Sequence, residues 1–224
     1  HFGERMLSID MVDGYGRGVC KCGRCAGSAT PERGWDGSMS DYVWGYLNRV
    51  AKEIYKSHPQ HMVSGGVYSA YRLPPQNIER MSPNLALIEC RARSGFYNEE
   101  TQAQSRQLRQ AWLEKLPSKE WYTRDYYLHA RSGGPWEGIP VYFPHLIAED
   151  LRELAGVAHG ERIGIYHHQG NRDFGYNEFA IQHLNLYVTT RLYWDVNRDV
   201  DAMLEEYYTR FYGPVREQMK AFIT

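Results

Sequence analysis

No run of apolar residues in this 224-residue sequence approaches the ~20 that a bilayer-spanning helix needs, so no membrane-spanning segment is expected. An excess of one charge is missing too. Lys and Arg number 26 against 27 Asp and Glu, which leaves neither the basic footprint of a nucleic-acid binder nor a polybasic membrane patch. No strand-like run is followed by a G-x-G-x-x-G or P-loop glycine pattern, which argues against nucleotide binding. There is no repeat at a fixed period and no low-complexity tract. The chain opens HFGERM, without an initiator Met or a secretory signal pattern, and enters a strand-like run at once. That start is expected of a piece cut from something longer.

What is there is an alternation. Strand-like runs lie at residues 5–11, 61–71, 85–92, 121–130 and 162–168, separated by helical or loop segments. Ser40 can cap a helix whose apolar positions, Val43, Trp44, Leu47, Val50, Ala51, Ile54 and Tyr55, form one stripe. The proline-rich stretch RLPPQNIERMSPN at 72–84 has no period and reads as a loop standing in for a helix. Helices are expected near 99–116, 145–155 (with Gly156 as the stop) and 176–194. From Asp199 the pattern is helical only, with a break at Gly213-Pro214. Strands alternating with helices predict a parallel sheet. Five such units suit either a small doubly wound sheet or part of a (β/α)8 barrel, and the abrupt start favours the barrel. The expected fold is therefore α/β: the carboxyl-terminal part of a TIM-type barrel, about five βα units corresponding to strands four to eight, over residues 1–195. A helical extension follows over 196–224.

In such folds chemistry sits at the carboxyl ends of strands. The first run ends in Asp10 and Asp13. Strand alternation keeps both from pointing one way, and Asp13, beside Gly14, is the stronger candidate. The second run offers Tyr68 and Tyr71, and the third Cys90, Arg91 and Arg93. The fourth offers His129, with Trp136 and Glu137 in its loop. The fifth offers His167 and His168, then Arg172. Paired carboxylates with arginines, histidines and aromatic rings suit a sugar. Glycoside hydrolysis needs one group to donate a proton and another to act as base or nucleophile, for which Asp13 and Glu137 are the first choices and Asp10 the second. Tyr71, Arg91, Arg93, His129, Trp136, His167 and Arg172 are the expected substrate contacts. For the arginines, internal salt bridges are the competing role. The 18 tyrosines and 6 tryptophans can stack on sugars or simply pack the core.

Of four cysteines, three fall within six residues, Cys20, Cys22 and Cys25. They supply three soft ligands where zinc wants four, and Cys90 is a possible fourth; a disulfide is the rival. Either way the expected role is structural, and hydrolysis itself needs no cofactor.

Asp13-Gly14, the Cys-x-Cys-x-x-Cys loop and a helix carrying Asn48 and Val50-Ala51 together resemble the bacterial family called domain of unknown function 4838. So do LIEC at 87–90, the Trp112 helix leading to RDYY, and the closing RLYWD and DVDAMLEEYYTRFYG. The resemblance spans most of the chain. It implies a glycoside-hydrolase-type barrel, related in architecture to α-glucuronidases and β-hexosaminidases, in an extracellular or periplasmic protein of polysaccharide-degrading bacteria. Asp13 and the three cysteines are the residues it carries over. Arg91 and Arg93 depart from the family's pattern. The Asp-Glu pair that hexosaminidases carry after the fourth barrel strand is absent, which weighs against a substrate-assisted mechanism. The expected function is hydrolysis of a polysaccharide or oligosaccharide by rim carboxylates; the alternative is a non-catalytic carbohydrate-binding or scaffolding barrel.

Overall fold

Short β-rich segments punctuated by glycine and proline leave little room for anything but brief strands, and five form. They are β1 (Met6–Ser8), β2 (Met62–Val67), β3 (Leu85–Arg91), β4 (Trp121–Tyr126) and β5 (Gly160–Gly164). The computed structural model describes residues 5–9, 11, 22, 23, 25, 27–127, 141–164 and 182–223. The strands make one parallel sheet in the order β1-β2-β3-β4-β5, curled as half of a barrel. Met6, Leu7 and Ser8 stand opposite Met62, Val63 and Ser64, and Val63 through Val67 stand opposite Leu85 through Glu89. Leu87 N–H to the Glu120 carbonyl (2.9 Å) and His159 N–H to the Trp121 carbonyl (2.8 Å) carry the ladder onward. The sequence-read strands recur with different ends, and β2, β3 and β4 stop short of the runs read for them, because runs judged by apolar content continue past the point where pairing stops.

The chain divides into two compact units: His1–Arg91, Glu100–Arg124 and Ala158–Arg162 in one, Ala92–Glu99, Asp125–Val157 and Ile163–Thr224 in the other. In the first, α1 (Ser40–Ser57) and α2 (Glu99–Lys115) cover one face of the sheet. Trp44 and Leu47 of α1 and Leu108 and Trp112 of α2 share a core with Val63, Val67, Leu85, Leu87 and Trp121. The Trp44 and Trp112 rings meet edge to face, 4.6 Å between centroids. Ser40 is not the cap of α1. Met39 occupies that position, with no side-chain cap bond, and the Ser40 hydroxyl is buried. Burial of the helix start against the core, rather than a side-chain acceptor, sets where the helix begins.

The loop expected at 72–84 takes the place of a helix between β2 and β3, and its pinning explains how. Trp44 Nε1 donates to the Tyr71 carbonyl (2.7 Å) and Trp112 Nε1 to the Arg72 carbonyl (2.9 Å). Asp41 Oδ1 accepts from the amides of Gln76 (2.6 Å) and Asn77 (2.9 Å), and Asn48 Oδ1 from the amide of Ser82 (2.7 Å). A backbone without its own repeat thus finds side-chain partners for its polar groups.

In the second unit α3 (Pro144–Leu154), α4 (His183–Trp194) and α5 (Val200–Tyr207) enclose a separate core. It contains Tyr127, Phe143, Ile147, Leu184, Val188, Met203 and Tyr208. Pro144 opens α3, where its missing N–H is not needed, and Gly156 follows its end at φ +78. Asp199 caps α5 by accepting from the Ala202 amide (3.1 Å). The single helix expected up to Gly213 is interrupted: Tyr208–Tyr212 is a π-helical turn, and a last helix, α6 (Arg216–Ile223), follows Gly213–Val215. The wider turn lets adjacent Tyr207 and Tyr208 both bury while Tyr207 stacks on Phe211, 5.0 Å apart at 17°.

Candidate functional site

Two neighbouring residues mark the chain as it leaves β2. Tyr68 is exposed at 36 %, and Ser69 has φ +52, a left-handed conformation unfavourable for a residue with a side chain. Such conformations persist only where surrounding structure enforces them, and they gather at functional segments. Tyr71, expected to touch substrate, closes the next turn and packs into the core with 3 % exposure.

Along β3, Leu85 and Leu87 face the helices, and alternation puts Glu89 and Arg91 on that side as well. Glu89 is fully buried. Its Oε1 accepts from Ser105 Oγ of α2 (3.0 Å), and its Oε2 has no hydrogen-bond partner. Arg91 Nη2 pairs with Glu161 Oε2 of β5 at 3.1 Å, their side chains 2 % and 5 % exposed. Thr123 Oγ1 of β4 donates to that same oxygen (2.7 Å). Three adjacent strands are thereby tied through one carboxylate.

The second unit has a buried cluster of its own. Arg93 Nε donates to Asp150 Oδ2 of α3 at 2.6 Å, with side chains 0 % and 3 % exposed. The Arg93 amide donates to Asp125 Oδ1 (3.0 Å), and Asp125 Oδ2 lies 3.6 Å from Arg93 Nη1. That same Nη1 donates to the Tyr127 hydroxyl (2.7 Å), with the guanidinium 5.7 Å from the ring centroid. Arg91 and Arg93 are both engaged in internal ion pairs, the second of the two roles open to them in the sequence. Burial beside an opposite charge, with hydrogen bonds added, is the arrangement that lets charges leave water at tolerable cost.

Asp10, Asp13, Cys20, His129, Trp136, Glu137, His167 and Arg172 lie outside the described residues. Cys22 and Cys25 share a tight turn, Cys25 N–H donating to the Cys22 carbonyl (2.9 Å), so two thiols of the triplet belong to one bend. Among the described residues no group of three or more His, Cys, Asp or Glu side chains is placed to hold a metal ion. No helix among them is long and apolar enough to cross a membrane.

Several tyrosines have shifted titrations. Burial first, then a hydrogen bond to Glu120 (3.0 Å) and its charge, push the Tyr122 phenol up to about 12. Tyr207 is raised by burial and by its hydrogen bond with Tyr212, and its hydroxyl also lies 3.1 Å from His183 Nδ1.

Residue-type reasoning overlooked Glu89, Asp125, Asp150 and Glu161. A signal existed: a carboxylate inside an apolar strand, as in LIEC, or beside the buried stripe of a helix, as Asp150 between Ile147 and Leu151, has to meet a partner.

The sheet and its buried ion pairs define a parallel α/β protein with a half-barrel sheet. Within that class the chain belongs to the family described as Domain of unknown function (DUF4838), whose model matches residues 3–221. No curated protein and no solved structure matches it.

Proposed function

We propose that this chain is the carboxyl-terminal part of a (β/α)8 barrel that hydrolyses glycosidic bonds of an extracellular or periplasmic polysaccharide or oligosaccharide. The supporting observation is the parallel half-barrel sheet, because each strand is followed in sequence by the segment that holds the chemistry in barrels of this kind. Asp10 and Asp13 follow β1 directly, and Glu137 follows β4. Asp13 serves as acid or base and Glu137 as its partner, with Trp136, His129, His167 and Arg172 gripping the sugar. The cysteine triplet pins the loop after Asp13 through zinc or a disulfide; zinc analysis and the mass of the unreduced protein distinguish the two. The deciding experiment is a screen against glycans that include uronic-acid and amino-sugar substrates, with released reducing ends as readout. Product release carries the proposal. Calorimetric binding without product replaces it with the carbohydrate-binding alternative, and neither signal rejects both.

A further inference from the structure

We infer that the buried polar chain Arg93–Tyr127–Thr189–Asn185 is a positioning device for the segments that lead into α3 and α4. This rests on the hydrolase reading for its purpose, though not for its geometry. The directions of its hydrogen bonds are fixed. Thr189 Oγ1 gives its one proton to the Asn185 carbonyl a turn earlier in α4 (2.7 Å). The Tyr127 hydroxyl, 2.6 Å away, therefore donates to Thr189 while accepting from Arg93 Nη1. Arg93 is held from its other side by Asp150 and Asp125.

At the far end Asn185, 0 % exposed, works as a clamp. Its Oδ1 accepts from the Phe143 amide (3.1 Å), and its Nδ2 donates to the Val141 carbonyl (2.8 Å) and to Gln182 Oε1 (2.6 Å). The backbone amide and carbonyl admit only one orientation of the side-chain amide. Val141 and Phe143 precede α3, and Gln182 precedes α4. One side chain thus binds the entries to two helices, and the relay through Thr189 fastens the helix bearing that side chain to the end of β4. Glu137 and Trp136 lie a few residues before the first entry in sequence, and Arg172 ten residues before the second. Thr189, Tyr127 and Asn185 are accordingly positioning residues.

The test compares Thr189→Val, which keeps shape and removes the hydroxyl, with Thr189→Ser, which keeps the hydroxyl. Amide hydrogen exchange is followed at Phe143 and at 182–186. Thr189→Val is expected to speed exchange there about tenfold, the loss of roughly one buried hydrogen bond, while α1 exchanges as before. On any glycan the protein cleaves, kcat falls with KM held. Thr189→Ser restores both. Unchanged exchange at Phe143, or an equal rise in α1, overturns the inference, as does faster exchange with kcat intact. If Thr189→Val does not fold, Tyr127→Phe removes the middle hydroxyl and is read the same way. The exchange readout needs no substrate, so a wild-type protein silent on every glycan counts against the hydrolase reading alone.

Discussion

Gly65 stands where β2 passes beneath α1, and a Cβ there would lie 2.8 Å from Leu47 Cδ1 and 3.1 Å from the Trp44 ring. Glycine is present for closeness, since the sheet and helix share the tryptophan-lined core at that point. Gly65→Ala is expected to destabilise by about 1–3 kcal/mol, the usual cost of overfilling a packed core, visible as a lower urea midpoint with an unchanged slope. Tyr122 gives a second residue-scale outcome, this time with pH. Its phenol is raised from 10.0 to about 12 by burial and by Glu120. Below the ordinary value it is protonated in folded and unfolded chains alike, so its stabilising contribution is fully present. Between 10 and about 12 the unfolded chain ionises first, and stability is lost as pH rises through that window. Tyr122→Phe should flatten that part of the stability profile and remove one late step from the tyrosinate absorbance titration. A profile as steep as the wild type's would mean another group causes the loss.

At the scale of elements, the segment between β2 and β3 shows how a chain without regular structure becomes a fixed part of a fold. Residues 72–84 have no helical repeat, yet the Trp112 indole, Asp41, Asn48 and Lys115 hold their backbone groups, with the Trp44 indole on the Tyr71 carbonyl just before them. Asn48, one of the residues that carry the family resemblance, is 4 % exposed and accepts the buried Ser82 amide. Asn48→Ala strands that amide. It should cost about 1–3 kcal/mol and expose 72–84 to limited proteolysis before the rest of the protein is cut. Intact resistance there would show that the indole bonds suffice. The strand elements behave differently: β3, β4 and β5 are tied by Arg91, Glu161 and Thr123. Arg91→Leu removes the opposite charge that faces buried Glu161 and is expected to cost about 3–5 kcal/mol, whereas adding Glu161→Leu should recover much of it. Purely additive losses from the two substitutions would deny that the pair acts as a unit.

For the whole molecule, the five strands and the helix stripes were legible because apolar spacing is a local property. Val43, Trp44, Leu47 and Ala51 announce the buried face of α1 before any partner is known. The partners of Arg91 and Arg93 were not legible, since Glu161 and Asp150 stand 70 and 57 residues away and nothing local pairs them. The π-helical turn at Tyr208–Tyr212 escaped for the same reason: its cause is the burial of two adjacent tyrosines against distant helices. The candidate acids were read from strand-end order alone, and that order leads to the prediction with the widest reach. If Asp13 transfers the proton in hydrolysis, Asp13→Asn keeps the shape of the side chain while removing its titration. Turnover should then fall by about 100- to 10,000-fold, the range general acid–base catalysis supplies. The two side chains have nearly the same volume, so the melting temperature should barely change. Glu137→Gln, tested beside it, should remove the opposite limb of a bell-shaped pH profile if it is the partner acid. Full activity in Asp13→Asn, with an unchanged melting temperature, would move the chemistry to another strand end and leave this segment a wall of the site.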